Sequence, residues 1–215
     1  MGYFFPVLFL LFLIFIVWLN IERMKSERQE AAQRNEFWQK ENDSNSVRRQ
    51  PLDNLPYVTI PDELLLKNLS SSLPEDDAEL VRCNDILTSL QSERILNLTG
   101  KTSTDIKMSY GAANLSTLDE YDQNFTLFAQ TIYAYGEQLH KLGYDHEARK
   151  VLRFGIDSLS DISGNYKLLA SLYVNYGQSD KIQELKATAD ELDSLMKGSI
   201  LRYLDEAESA NTDTN

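Results

Sequence analysis

The chain has 215 residues, which is enough for one ordinary domain with an anchor and a linker and too few for a large multidomain enzyme. Its formal net charge is −12, and the acidic excess lies entirely in residues 51–215, because residues 22–50 carry seven Lys/Arg against six Asp/Glu. Nucleic-acid binders usually present a basic face, so no nucleic-acid partner is expected.

Few residues are suited to catalysis or metal binding. Cys83 is the only cysteine, so it forms no intrachain disulfide and no cysteine-based zinc site, and it is predicted to be a small core residue. His140 and His146 do not have the i,i+4 spacing of two metal ligands on one helical face. Gly100 precedes Lys and Thr as in a phosphate-binding loop, but Ile95 stands where that loop needs glycine. We therefore predict no metal, no cofactor and no enzymatic activity.

The first predicted element is a transmembrane helix over residues 1–21. Residues 2–21 carry no charge, and at 1.5 Å per residue they would cross the roughly 30 Å hydrocarbon core of a bilayer. A cleaved signal peptide is the alternative. It would have a basic stretch before the apolar run and a small-residue cleavage site after it, and neither is present. The sequence thus predicts the lipid bilayer as a partner of residues 2–21.

The orientation follows from the charges beside this segment. Arg23, Lys25, Arg28 and Arg34 follow it within about fifteen residues, and the positive-inside rule then places the C-terminal domain in the cytoplasm. Asn-x-Ser/Thr sequons would be glycosylation sites on a lumenal face, but asparagine at these places is also typical of helix starts and turns. The sequons begin at Asn42, Asn68, Asn97, Asn114 and Asn124.

Two segments are predicted to connect the anchor to the domain. Residues 22–48 form a polar juxtamembrane helix, because residues 22–41 lack Gly and Pro and hold acid-before-base pairs at i,i+4 spacing. Residues 49–62 form a linker with a proline at every fifth position. Its apolar residues indicate either a docking strip or a strand packed on the domain.

Residues 129–162 and 163–196 show the same pattern with a period of 34 residues. The first unit has large residues at Ile132, Tyr135 and Leu139, with Gly136 among them. Large residues at these intervals line one helical face, and the small residue lets a neighbouring helix approach. A glycine ends the first helix of each unit, at positions 143 and 177.

The pattern resembles the tetratricopeptide repeat, in which two antiparallel helices occupy 34 residues. The second unit matches with Tyr166, Leu169, Ala170 and Tyr173, although Lys186 stands where the family has an aromatic residue. The resemblance implies an all-α fold, namely an N-terminal transmembrane helix, a linker and a small domain of helical hairpins. The domain is predicted at 63–210, with repeat units 129–162 and 163–196 and capping helices 75–98 and 198–209.

The resemblance also implies a binding surface, because the first helix of each unit lines the concave side in that family. The side chains that would line it here are Tyr133, Glu137, His140, Lys141, Lys167, Ser171 and Asn175. Tyr133 and Glu137 favour a basic or mixed-charge segment with an aromatic anchor. The alternative is that these residues form the solvated side of amphipathic helices.

The leading functional hypothesis is a membrane-anchored scaffold that binds an unidentified protein or peptide through this domain. The alternative is an accessory subunit that a larger membrane complex holds through the transmembrane helix. The first hypothesis places the partner on the helical repeats, and the second places it on residues 1–21.

Overall fold

A computed structural model describes residues 4–212, with side chains at residue 9 and from 15 to 209. The described chain is helical and contains no β-strand, which confirms the predicted all-α class. Short 3₁₀ turns join some of the helices. The α-helices are α1 (Phe4–Ser46), α2 (Leu66–Leu69), α3 (Ala78–Leu90), α4 (Ser103–Tyr110), α5 (Leu115–Lys141), α6 (Asp145–Asp157), α7 (Ser163–Asn175), α8 (Ile182–Asp190) and α9 (Lys197–Thr212).

Helix α1 contains most of the predicted anchor and nearly all of the predicted juxtamembrane helix. Among the described residues, no helix is long and apolar enough to cross a membrane. Residues 2–3 of the predicted anchor, and the side chains of residues 4–8 and 10–14, lie outside the described part of the chain. The anchor over residues 2–21 therefore stays a prediction.

The chain divides into two compact units, and the first comprises residues 1–50 with Thr102–Asn114. The predicted domain at 63–210 is therefore interrupted, because α4 packs on α1. In this unit Lys40 pairs with Asp105 at 2.9 Å, and Lys107 pairs with Glu41. The sequence pattern of 102–114 gives no sign that these residues belong with α1, because the contacts depend on partners more than sixty positions away.

A buried asparagine joins separate parts of the first unit through hydrogen bonds. The Asn114 side chain is fully buried, and its amide nitrogen donates to the carbonyl oxygens of Gln50 at 2.7 Å and Tyr110 at 2.8 Å. Its amide oxygen accepts from Arg49 Nε at 2.8 Å. A buried polar group is stable only when it is hydrogen-bonded, and Asn114 meets that condition with all three partners inside the unit.

The second unit comprises Pro51–Lys101 and residues 115–215, and its described helices pack in the order of the chain. Helix α3 packs on α5, α5 on α6, α6 on α7, and α9 on both α7 and α8. The core includes the residues that the 34-residue pattern marks as large, among them Ile132, Tyr135, Leu139, Tyr166 and Leu169, each with no exposed surface. Residues before and after the repeat complete the core, so the pattern identifies the repeat part of it.

The backbone repeats with the same period. Gly143 and Gly177 have φ angles of 83° and 65°, in the left-handed region that favours glycine. The residue after each glycine donates its N–H to the carbonyl five residues earlier, at 2.9 Å in the first turn and 2.8 Å in the second. Helices α7 and α9 also begin 34 residues apart, at Ser163 and Lys197. The period thus continues into α9, beyond the second sequence unit.

Close helix packing depends on the small residue in the first repeat. A Cβ atom built on Gly136 would lie 2.6 Å from the Leu152 side chain, so α6 approaches α5 as the pattern predicts. In the second repeat Lys186 replaces the expected large apolar residue. Its ammonium group pairs with Asp205 at 2.6 Å and Glu208 at 3.0 Å on α9. At this position an ion pair with α9 therefore replaces the apolar contact that the pattern predicts.

The first capping helix is shorter than the predicted 75–98, since α3 covers only Ala78–Leu90. It begins there because the Asp77 side chain accepts hydrogen bonds from the N–H groups of Glu79 and Leu80. After Leu90 the chain makes a turn at residues 91–93 and then has no regular secondary structure over residues 94–98. The backbone of residues 94–98 bonds to other segments, with Ile95 O accepting from Val58 N at 2.9 Å. The second capping helix, predicted at 198–209, is α9 at Lys197–Thr212.

The proline-containing segment packs on the second unit. Leu52 and Ile60 are buried, and Val58 packs against the core and bonds to Ile95. Of the interpretations that the sequence allows for residues 49–62, packing against the domain describes the structure better than a free linker, although no regular strand forms there.

Cys83 lies in the core with no exposed surface, as its spacing predicts. Burial raises the pKa of its thiol to about 11, and the nearby Glu79 carboxylate acts in the same direction. Only a thiolate reacts rapidly with disulfide reagents, so we expect no labelling of the folded protein near pH 8, and complete labelling in denaturant. An exposed cysteine introduced as Thr126→Cys should react at once in the folded protein. Fast labelling of native Cys83 would contradict its place in the core.

Two core tyrosines have buried hydroxyl groups without a hydrogen-bond partner among the described residues, those of Tyr135 and Tyr166. Burial also raises the pKa of both hydroxyl groups. An unpaired buried hydroxyl destabilises a fold, so Tyr135→Phe should leave the free energy of unfolding unchanged or raise it by about 1 kcal/mol. Tyr135→Ala should lower it by about 3–5 kcal/mol. Chemical denaturation measures both, and a large loss in Tyr135→Phe would reveal a partner for the hydroxyl.

Candidate functional site

The residues predicted to line the repeat surface lie on α5 and α7, and several already bind one another. A Cβ atom built on Gly164 would lie 2.5 Å from the Tyr133 ring, so this ring covers the start of α7. The Tyr133 hydroxyl donates to Glu137 at 3.2 Å, and Lys141 donates to the same carboxylate at 2.6 Å. The carboxylate that was expected to attract a basic partner is thus bonded to two neighbours on its own helix.

His140 is tied to the turn that follows α5. Its Nδ1 lies 2.6 Å from the Asp145 carboxylate, whose other oxygen accepts from the Tyr176 hydroxyl at 2.9 Å. The His140 ring on α5 is therefore linked through Asp145, the first residue of α6, to Tyr176 at the end of α7.

The predicted residues of the second repeat are less constrained. The Lys167 ammonium lies 5.6 Å from the centre of the Tyr203 ring, and the Ser171 hydroxyl donates to the carbonyl of Leu168. Asn175 is exposed. None of the seven predicted residues lines either of the two cavities described below. Whether this surface binds a partner stays a prediction.

The larger cavity is a cleft of about 460 Å³ in the second unit, which sequence reasoning did not identify as a site. Four short stretches of chain form its walls: the proline-containing segment, the irregular segment after α3, the end of α6 and the turn after α8. Its lining residues are Pro56, Tyr57, Val58, Thr59, Asn97, Thr99, Phe154, Asp157, Ser158, Leu159, Glu191, Leu192 and Asp193.

Hydrogen bonds and ring contacts hold the first wall in place. The Tyr57 hydroxyl donates to the carbonyl of Leu52 at 2.6 Å, which closes the segment on itself. The Tyr57 ring meets the Tyr121 ring edge-on at 5.8 Å, and the Arg94 guanidinium lies 5.2 Å from its centre. Together with the backbone hydrogen bond that Val58 donates, these contacts hold the segment in place as one wall of the cleft.

The end of α6 forms the second wall through an unusual backbone conformation. Leu159 has a φ angle of 58°, which costs a leucine about 1–2 kcal/mol. The surrounding bonds hold it there: Ser160 N donates to Gly155 O at 3.1 Å, and the Asn97 amide donates to Leu159 O at 3.0 Å. Asn97 also accepts from Thr99 N at 2.9 Å. The Asn97 side chain thus links the segment after α3 to the turn after α6, beside the cleft.

The inner part of the cleft is apolar. Leu192 is buried, and Phe154 and Leu159 pack against the core. The Phe154 ring is held edge-on to Phe128, with 5.7 Å between ring centres. A ligand that reaches this floor would remove apolar surface from water, which favours an apolar or aromatic group.

The rim of the cleft is acidic. Asp157, Glu191 and Asp193 line it, and no Lys, Arg or His does. Asp157 accepts from Arg153 at 2.8 Å, whereas Glu191 and Asp193 form no ion pair within the described chain. Gly100 packs tightly beside this rim, because a Cβ atom on it would lie 2.3 Å from Asp193 O. An apolar floor below uncompensated carboxylates is suited to a cationic group attached to an apolar one.

In the part of the chain that the structure describes, no group of three or more His, Cys, Asp or Glu is placed to hold a metal ion. The only sequence signal for the cleft was the apolar character of Tyr57 and Val58 in the linker. Glu191 and Asp193 lie in a turn whose sequence gives no indication that it meets the linker.

No protein-family model matches this chain, and the comparisons with curated proteins and with solved structures found no match.

Proposed function

We propose that this chain is a protein-binding adaptor whose second unit takes up a basic segment with an apolar or aromatic anchor. The observation that carries the proposal is the apolar cleft of about 460 Å³ with three carboxylates and no cation in its lining. A side chain such as Trp or Leu would occupy the floor, and a neighbouring Lys or Arg would meet Glu191 and Asp193. Residues 51–215 carry the whole acidic excess, so the field around the unit favours the approach of basic partners.

The helical repeat supports a binding role. The equal turns at Gly143 and Gly177, and the helix starts 34 residues apart, are the features that make this unit resemble a tetratricopeptide domain. Such stacked hairpins present extended surfaces to peptides. In this proposal the cleft supplies the main contact, and the predicted surface around Tyr133 is a secondary one.

The proposed location is the cytoplasmic side of a membrane, with residues 2–21 as the anchor. The uncharged stretch and the cationic residues after it support this placement. Three of the five sequons support it as well, because the fold engages their asparagines. The fully buried Asn114 amide makes three hydrogen bonds and leaves no room for a glycan. The amides of Asn97 and Asn124 are bonded to Leu159 O and Arg94 O. A C-terminal reporter that is active only in the cytoplasm tests the orientation, and a glycan on any sequon would reverse it.

An accessory subunit held by its membrane helix is the second candidate. Replacing residues 1–21 with an unrelated spanning helix separates the two, because an adaptor keeps its partners after the exchange and an accessory subunit loses them. The uncharged stretch of residues 2–21 is the observation that favours this candidate.

The test of the cleft uses a displayed library of random peptides selected on the full chain in non-ionic detergent. We expect enriched peptides to combine Lys or Arg with an aromatic residue, because that combination suits the floor and the rim. The double variant Glu191→Lys with Asp193→Lys should weaken their binding by about tenfold or more, since it places two cations beside the ligand's own.

The matched control is Glu75→Lys with Asp76→Lys. These two acids are exposed in the same unit, and the change in net charge is identical. The control should alter binding by no more than about twofold, through the general field alone. Equal weakening by both double variants, or enrichment of acidic peptides, would refute a specific role of the cleft.

A further inference from the structure

A second cavity, of about 300 Å³, lies between the first three turns of α6, the end of α7 and the α7–α8 turn. It is separate from the acidic cleft, and no lining residue is shared. We call it the basic concavity. Its lining residues are His146, Arg149, Lys150, Arg153, Tyr173, Gln178 and Lys181.

The charge of the basic concavity is opposite to that of the unit around it. Four Lys or Arg residues line it and no Asp or Glu does, although residues 51–215 carry fourteen Lys/Arg against twenty-seven Asp/Glu. Cations in an acidic chain ordinarily pair with its abundant carboxylates. The partners of each cation therefore decide whether the concavity has charge left for a ligand.

Arg149 is held in position by neutral groups. Its Nη1 donates to the Gln178 side-chain oxygen at 2.9 Å, and its guanidinium lies 4.6 Å from the centre of the Tyr176 ring. Its Nε donates to the backbone oxygen of Asp145 at 3.3 Å, and the Asp145 carboxylate, which bonds to His140 and Tyr176, forms no ion pair with it. Arg149 is thus fixed in direction by neutral groups, and its guanidinium can still donate to a ligand.

The other cations differ in how far they are neutralised. Arg153 pairs with Asp157 at 2.8 Å and Glu184 at 3.0 Å, so it anchors the edge of the concavity. The Lys181 ammonium lies 5.4 Å from the centre of the Tyr173 ring. Lys150 is exposed, and neither lysine forms an ion pair within the described chain. Arg149, Lys150 and Lys181 are therefore the cations that a ligand would meet.

We infer that the basic concavity binds an acidic peptide segment of a partner protein, with carboxylates at alternate positions. The cations without an ion pair come from two elements, since Arg149 and Lys150 lie on α6 and Lys181 lies in the α7–α8 turn. An extended peptide advances about 3.3 Å per residue, so carboxylates on alternate residues lie about 6.6 Å apart and can meet cations on both walls of the concavity.

This inference goes beyond the proposed function, because it gives the unit a second contact of opposite charge. Helix α6 contributes to both sites: Arg149 and Lys150 line the basic concavity, and Phe154 and Asp157 line the acidic cleft. The Arg153–Asp157 ion pair lies at the boundary between them. A partner with neighbouring basic and acidic segments would contact one helix at both ends.

The test measures fluorescence anisotropy of a labelled peptide, Glu-Gly-Glu-Gly-Glu-Gly-Glu, with the full chain in non-ionic detergent at about 50 mM salt. We expect saturable binding that weakens as salt rises. The double variant Lys150→Glu with Lys181→Glu should reduce the affinity about tenfold or more, because it reverses the two unpaired cations. The matched control, Lys67→Glu with Lys101→Glu, changes two exposed lysines elsewhere in the unit and should reduce it no more than about twofold.

Three outcomes would overturn the inference. The first is no saturable binding of the acidic peptide by the wild-type chain. The second is an equal loss of affinity in the Lys150/Lys181 and Lys67/Lys101 double variants, which would indicate a general effect of net charge. The third is full displacement of the peptide by inorganic phosphate at concentrations similar to the peptide's own, which would indicate a small-anion site. None of these results bears on the acidic cleft, which is tested with basic peptides.

Discussion

Ending the chain after Gly198, and so removing most of α9, is expected to abolish cooperative folding of the second unit. Ile200 and Leu204 on α9 are 1% and 0% exposed. Loss of each buried aliphatic side chain costs about 2–5 kcal/mol, and a whole domain is stable by only about 5–15 kcal/mol. The truncation also leaves Lys186 without Asp205 and Glu208. Thermal unfolding followed by circular dichroism, compared with the full chain in the same detergent, measures the effect.

Point variants on α9 show whether the effect comes from packing. Leu204→Ala should lower the free energy of unfolding by about 3 kcal/mol, whereas Glu206→Ala, at an exposed position, should change it by less than about 0.5 kcal/mol. An unchanged midpoint after the truncation would mean that α9 does not belong to the cooperative unit.

Gly100→Ala is expected to lower the free energy of unfolding by about 3 kcal/mol and to weaken binding at the cleft. Alanine at a φ of 85° is strained by about 1–2 kcal/mol. Its Cβ would also lie 2.3 Å from the backbone oxygen of Asp193, so the chain must shift at a cost of about 1–3 kcal/mol. That shift moves the Asp193 backbone, which carries part of the cleft rim. Denaturant unfolding gives the stability, and titration with a selected basic peptide gives the binding.

Gly143→Ala is the matched control for this prediction. Gly143 has nearly the same φ angle, 83°, but a Cβ atom there would meet nothing within 4 Å. It should cost only the conformational part, about 1–2 kcal/mol, and leave peptide binding unchanged. Equal losses of stability and binding in the two variants would show that the contact between Gly100 and Asp193 has no separate role.

The sequence predicted the helical class and the repeat part of the core in the second unit, because both depend on short-range periodicity. Ile132, Tyr135 and Leu139 recur at intervals that fix one helical face, and Gly143 ends the helix through its own backbone freedom. These patterns involve residues within one or two helical turns, so they can be recognised without knowledge of the tertiary contacts.

The cleft was missed because its walls are brought together only by the fold. Tyr57 and Glu191 are separated by more than 130 positions, and the linker reaches the cleft through one backbone bond, from Val58 to Ile95. The positive φ of Leu159 carries no sequence signal either, since glycine or asparagine is the usual residue there. Long-range backbone contacts leave no periodic pattern in a sequence.

The predicted binding face illustrates a different limit. Family resemblance predicted which residues lie on the first helices, yet it did not predict that Glu137 is bonded to Tyr133 and Lys141. The Tyr133 ring also covers Gly164, which the residue spacing alone does not reveal. The 34-residue period predicts which residues lie on the first helices, whereas the bonds that their side chains form depend on neighbours in the folded structure.

The most direct test of the adaptor role is photo-crosslinking in cells from the mouth of the cleft. A benzophenone amino acid at Thr59, an exposed residue of the cleft, is compared with the same probe at Asn175 on the predicted repeat surface. We predict an adduct from Thr59 that the Glu191→Lys with Asp193→Lys variant abolishes, and mass spectrometry should place it on a partner segment that pairs Lys or Arg with an aromatic residue. An adduct yield at Thr59 that is no higher than the yield at Asn175 would contradict the proposal. A crosslinked segment without a basic residue would contradict it as well.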